Sequence, residues 1–315
     1  MSRFDLVPFD ITTPKAKPGT DTAWTVPGTR VEDVKEFASC KADHAWLWAP
    51  TSGATTQSVH RTRCELKGGP FDVAGVAVEH SVSITAQVLR VNWAGKFVLI
   101  QAHCHDGNDP TFKGFIDSRD GGLTASFKVG LRTGGEDDPP QKVLFDRIDL
   151  KERFSVGVAL WPDGWIEIRF QQGTRTALLK EQLSSARAKR PHVFHAGIYN
   201  QVDKGHASEP AGDGTELRLF EVLEAHRPLN FLVLTKLIDR AAVLGNAADR
   251  AKELQRITDL IDEFAKPLLS NEERSLLYER IKALKQPQPG GRSLSLAWWQ
   301  VVIAWIVRWW KSLLK

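Results

Sequence analysis

Between residue 20 and about residue 226, apolar and polar positions alternate in short runs, and Gly, Pro, Asn and Asp punctuate the gaps. Ser81 to Val91, Lys96 to His103 and Ala125 to Arg132 each send every second residue to one side, the period of a half-buried strand. Phe154 to Leu160 and Trp165 to Phe170 flank Pro162-Asp163-Gly164, which predicts a hairpin. Many short strands with turn signals and few helical patterns predict an all-β jelly-roll sandwich of concanavalin-like type over residues 1–226.

The period changes near Pro228. Leu237, Ala241 and Leu244, then Leu254, Ile257, Leu260, Ile261 and Phe264, follow helical spacing until Pro267 breaks the run. Ser270-Asn271-Glu272-Glu273 reads as a helix start leading into Leu276, Leu277, Ile281 and Leu284. Residues 229–286 are therefore expected to form a helical hairpin or small bundle, packed on the sandwich or pairing chains into an oligomer. Residues 287–293 have linker composition. The tail, 294–315, holds five of the eleven tryptophans and is apolar from Leu294 to Val307 except at Ser295 and Gln300, with Arg308, Lys311 and Lys315 following. An apolar spanning helix needs about 20 residues. Tryptophan favours the headgroup level and basic groups favour anionic lipid, so the first expectation is a helix lying on a membrane surface. A short transmembrane anchor and a helix buried in an oligomer are the alternatives.

Composition is that of a globular protein: 315 residues, 42% apolar and 25% charged. A net charge of +4 without a basic block argues against nucleic acid as partner but accommodates a polyanion. Cys40, Cys64 and Cys104 cannot all pair and form no CxxC motif, so they are expected as small buried hydrophobes. The first ten residues contain no apolar secretory core, so export by the standard signal is not expected.

Strand alternation then sorts the polar residues. Arg61, Arg63, Glu65 and Lys67 share one face, which is expected to line solvent or a polar groove because four charges cannot enter a core. Gln101, His103 and His105 share a face of the next segment, and His195, Gly197, Tyr199 and Gln201 of a third. Tyrosine occurs only at 199 and 278, and Tyr199 is the only one in the strand-patterned region. Its phenol suits proton transfer to a leaving alcohol. His103, His105 and Asp106 also have spacing compatible with zinc, and Asp106 to Asp109 with a calcium loop or a plain turn.

These segments resemble the alginate lyases of polysaccharide lyase family 7 and the related glucuronan lyases of family 20. The resemblance rests on Ala49-Pro50 with Gly53 to Thr56, the Arg61 to Lys67 strand, Gln101-Ala102-His103, and Phe194 to Gln201, in order, with Leu217 to His226 resembling the last strand. The family's R-x-E-x-R motif fits either Arg63, Glu65 and Lys67 or, disrupting the acidic position, Arg61, Arg63 and Glu65. In the first register Lys67 replaces an Arg, and His195 replaces the Lys of the third motif, which leaves the choice of uronate open.

The resemblance implies β-elimination on an acidic polysaccharide such as alginate or glucuronan, with no metal or organic cofactor. Arg63 and Gln101, with Arg61, would neutralise the uronate carboxylate, and Tyr199 would protonate the departing O4. His103 or Tyr199 would take the C5 proton, according to the face of the sugar that carries it. Glu65, Lys67, His195 and Gln201 would complete the binding surface. The alternatives are a non-catalytic lectin-like sandwich and a membrane-tethered assembly protein with a degenerate lyase fold.

Overall fold

The computed structural model describes residues 5–57, 59–118, 122, 124–135 and 139–285. The chain divides into two compact units, residues 1–230 and 231–315. The first unit is the expected antiparallel sandwich. Among the described residues, one sheet has nine strands. Its main path runs Lys142–Asp149, Thr124–Leu131, Pro110–Asp117, Lys96–Cys104, Pro191–Asn200, Arg63–Lys67, Asp10–Ala16 and Ala23–Pro27, and Phe71–Asp72 pairs beside Pro191–Asn200. The second sheet has seven strands in the order Arg175–Gln182, Trp165–Gln172, Phe154–Leu160, Val78–Arg90, Gly214–Pro228, Ala45–Pro50 and Ala38–Cys40.

The alternation read from the sequence is what closes the two sheets on each other. Cys64 and Leu66, Ile100 and Ala102, and Ala196 and Ile198 from the first sheet join Ile84, Ala86, Val156, Val158, Leu217 and Leu219 from the second in one core. Cys64 and Cys104 are buried and Cys40 half-buried, all as free thiols. The hairpin predicted at Pro162-Asp163-Gly164 forms. Its strands pair from Leu160 opposite Ile166 onward, Gly164 takes φ +81°, and its N–H donates to the Trp161 carbonyl at 2.8 Å.

Between the sheets sits one polar knot. Asn200 is fully buried; its Nδ2 donates to the Ala49 carbonyl and to Thr62 Oγ1, both at 2.9 Å. Its Oδ1 accepts from Asn92 Nδ2 at 2.9 Å and from Thr215 Oγ1 at 2.7 Å. Every amide valence is therefore satisfied, which is the condition for a buried carboxamide to stabilise rather than cost. The knot ties the end of the Pro191–Asn200 strand to both sheets.

The second unit contains the expected helices, Phe231–Ala242, Ala247–Leu260 and Asn271–Lys285, around Leu237, Ile238, Leu254, Ile257, Leu277 and Ile281. Ser270 Oγ accepts from the Glu273 N–H at 3.1 Å, and Glu273 Oε2 from the Ser270 N–H at 2.8 Å, a reciprocal capping box. Ahead of Pro267 the Ala247–Leu260 helix passes into a π turn, Ile261–Ala265, and then a 3-10 turn, Lys266–Leu268. No described helix is long and apolar enough to cross a membrane. The linker at 287–293 and the Trp-rich tail at 294–315 lie outside the described residues.

Candidate active site

Three neighbouring strands carry the polar positions singled out in the sequence. Lys96–Cys104, Pro191–Asn200 and Arg63–Lys67 lie side by side, with Arg63 opposite Tyr199, Glu65 opposite Gly197, Lys67 opposite His195, Gln101 opposite His195 and His103 opposite Val193. Cys64, Leu66, Ile100, Ala102, Ala196 and Ile198 take the core side. Alternation therefore sends Arg63, Glu65, Lys67, Gln101, His103, His195 and Tyr199 to the outer face of the nine-stranded sheet.

The centre of this surface is a buried carboxylate. Glu65 is 1% exposed. Its Oε1 accepts from Gln101 Nε2 at 2.9 Å, and its Oε2 faces Arg63 Nη1 at 3.3 Å and His195 Nδ1 at 3.7 Å. Burial opposes its ionisation, but the His195 contact and the Arg63 charge outweigh that cost and hold the carboxyl below its ordinary range. The charged row is thus recessed rather than laid out in solvent, because this carboxylate is charge-balanced and hydrogen-bonded where it is buried.

From Glu65 the contacts run in both directions. On one side the Arg63 guanidinium lies 4.1 Å over the Tyr199 ring, which also packs on Val98 and Phe115. Burial raises the Tyr199 pKa above its ordinary 10.0, while the Arg63 charge acts the other way without reversing the shift, so the phenol is protonated at neutral pH. On the other side the His195 ring stacks on His103, with centroids 5.7 Å apart and planes 19° from parallel. His103 Nδ1–H donates to the Cys104 carbonyl at 2.7 Å, which leaves Nε2 with its lone pair. Burial, followed by the neighbouring His195, depresses the His103 pKa and keeps the ring neutral. Arg63 also keeps a buried Nε–H with no hydrogen-bond partner among the described residues.

Gly197 makes this juxtaposition fit. It adopts φ +140°, and a Cβ there would stand 2.5 Å from the Cys64 carbonyl oxygen. The Ile100 to Val98 pairing with Ala196 to Tyr199 is bulged at the same place, which brings Tyr199 opposite both Val98 and Arg63. Gly197→Ala is expected to destabilise the fold by about 1–3 kcal/mol and to lower turnover with it; thermal melts alongside an activity assay measure both.

Two expectations change. Arg61 does not continue the charged strand, which begins at Arg63. Its Nε binds Asp203 Oδ1 at 2.7 Å and its Nη1 reaches Gln201 Oε1 at 3.1 Å, so Arg61 and Gln201 pair at the edge of the surface. His105 falls beyond the strand end and is exposed, so it does not share the face of Gln101 and His103. Asp106 and Asp109 bind Arg190, and Asp109 also binds Arg187, so this loop is an arginine clamp. Among the described residues no cluster of His, Cys, Asp or Glu is placed to hold a metal ion. Lys113 was missed: it sits opposite Gln101 with Nζ 5.9 Å from the Tyr199 ring. Its signal in the sequence is the single cation of the Pro110–Asp117 strand.

The outer face of this two-sheet sandwich thus combines a guanidinium, a carboxamide, a neutral imidazole and a protonated phenol. The chain matches the alginate lyase family over residues 4–225, and it belongs to that family. It is a polysaccharide lyase, cleaving an acidic polysaccharide by β-elimination. The fold is shared with the alginate lyase of Pseudomonas aeruginosa at 20% identity and a TM-score of 0.62, over 71% of this chain and 100% of that one. The Klebsiella pneumoniae alginate lyase aligns at 17% identity and 0.62, over 72% and 98%. Alginate lyase A1-II′, a member of polysaccharide lyase family 7, aligns at 18% and 0.56, over 72% and 97%. No curated protein matches the chain.

Proposed function

We propose that this surface cleaves alginate with Arg63 and Gln101 as the carboxylate clamp, His103 as the base and Tyr199 as the acid. The observation that carries the assignment is the shared anchor. Arg63 and Gln101 are both held by buried Glu65, and their remaining donors lie together: the Arg63 Nε–H has no partner among the described residues, and the Gln101 amide also reaches His195 Nδ1 at 3.4 Å, a contact that a substrate carboxylate would replace. A uronate carboxylate taking those donors has its charge dispersed, which lets electron density from the C5–H bond move onto it. His103 Nε2 accepts the C5 proton, the C4–O4 bond breaks as the C4–C5 double bond forms, and the Tyr199 phenol protonates O4. Lys67, His195, Arg61 and Gln201 bind and position neighbouring sugars, whereas Glu65, expected among them, is buried and acts only by holding Arg63, Gln101 and His195. Lys67 and His195, cross-strand partners, set the local charge that chooses between alginate and glucuronan.

The test is release of the ultraviolet-absorbing unsaturated product from polymannuronate, polyguluronate and glucuronan as a function of pH. Turnover is expected to fall in acid only as pH drops through the His103 pKa, below that group's ordinary 6.5. In base it should fall only above the ordinary 10.0 of tyrosine. Binding of all three polymers without product would overturn the catalytic reading in favour of a lectin.

On composition we further propose that residues 294–315 seek a membrane surface and that the helical unit mediates oligomer contacts. The chain should float with anionic liposomes, and removal of residues 293–315 should abolish flotation; equal flotation of both forms rejects the membrane reading.

A further inference from the structure

The seven-stranded sheet carries a pocket that the lyase chemistry does not use. Leu217 and Leu219 enter the core, so Arg218 and Phe220 face outward, as does Gln87 between Ala86 and Val88. With the 149–153 turn and Gln172 they line an open pocket of about 620 Å³. It lies on the side of the sandwich opposite Gln101 and His103, and its size is that of a small-molecule site. The Gln87 amide clips the turn in place by donating to the Lys151 carbonyl.

Two guanidiniums dominate its chemistry. The Arg153 guanidinium stacks 3.5 Å over the Phe220 ring, and Arg218 keeps a buried Nε–H without a hydrogen-bond partner. Neither arginine forms an ion pair among the described residues. Of the lining carboxylates, Asp43 binds His44 at 2.8 Å and also feels the Arg153 charge, Asp149 accepts the Lys151 N–H at 2.9 Å, and Glu152 is exposed. A phosphate gives the arginines charge but the neighbouring carboxylates no donors. A sugar acid carries a single charge for the arginines and hydroxyls that donate to Asp43 and the Gln87 carbonyl.

We propose that this pocket is a second, non-catalytic binding site for the acidic polysaccharide, with a uronate carboxylate held by Arg153 and Arg218. The inference rests on the polyuronate substrate. A polymer repeating the same carboxylate can occupy both faces of the enzyme, and tethering at the rear raises its effective concentration at the active surface.

Isothermal titration of Tyr199→Phe protein with a uronate tetrasaccharide is expected to give two bound molecules per chain, falling to one when Arg153→Ala and Arg218→Ala are added. In the otherwise unaltered enzyme, the two substitutions should raise KM for long polymer several-fold and leave kcat and the KM for a trisaccharide unchanged. Arg153 is exposed, so Arg153→Ala alone keeps the test open if Arg218→Ala unfolds, and Arg218→Lys should retain part of the second site. One molecule per chain before the arginines are altered, or an unchanged polymer KM after, overturns the proposal. Equal displacement by inorganic phosphate overturns it as well, reducing the pocket to a general anion site. Failure of the catalytic assignment shows separately, as product absorbance from the Tyr199→Phe protein.

Discussion

Tyr199→Phe is expected to reduce kcat by about 10²- to 10⁴-fold, the usual contribution of a positioned proton carrier, while leaving polymer binding and the melting temperature nearly unchanged. The ring survives the substitution, so its packing on Val98 and Phe115 and the Arg63 guanidinium above it are preserved. Only the O–H is lost, and O4 then departs without its proton. Product absorbance gives the turnover, and titration calorimetry of the variant gives the binding. Turnover at the level of the unaltered enzyme would show that another group protonates the leaving oxygen. Tyr199→Ala is a poorer probe, because it also opens a cavity beside the clamp.

Arg63→Ala should be the most damaging single change, because Arg63 serves stability and chemistry together. Glu65 would stay buried with its nearest cation gone, and breaking such a pair typically costs about 3 kcal/mol or more. The pH dependence identifies the cause. The folded Glu65 carboxyl lies below its ordinary 4.5, so its contribution to stability is present above that pH and disappears as pH falls through the folded value. Arg63→Ala weakens that contribution, so its deficit against the unaltered protein should be largest near neutrality and narrow in acid. Denaturant melts from pH 3 to pH 8 measure this. Adding Glu65→Gln removes the stranded charge and should restore much of the stability without restoring activity, since no guanidinium then meets the uronate carboxylate. A double variant as unstable as Arg63→Ala would place the cost in lost packing instead.

The fold was legible because it is written in a local period. Alternation in Ser81 to Val91 and Lys96 to His103, and the turn signal at Pro162 to Gly164, predict strands and a hairpin that form within a few residues of the expected bounds. The capping box at Ser270 and Glu273 is equally local. Much of the candidate site could be read the same way, since Arg63, Glu65 and Lys67 share a face by spacing alone. Arg61 and His105 fall outside the pattern because a period has no information about where a strand ends. Lys113 carries no local signature of the site, because its neighbour in space, Gln101, belongs to a different strand.

By itself the sequence determined which side chains share a face, where the chain turns, and which groups have the acid–base and charge chemistry for a polyuronate. Tertiary structure alone decided that Lys96–Cys104, Pro191–Asn200 and Arg63–Lys67 are neighbours, that Glu65 is buried between Arg63, Gln101 and His195, and that His103 keeps Nε2 free. It also assembled Arg153, Arg218 and Phe220 into one pocket from stretches far apart in the chain. The reason is physical: alternation follows from the geometry of each strand, whereas burial, pairing order and electrostatic balance depend on contacts that exist only after the sheets close.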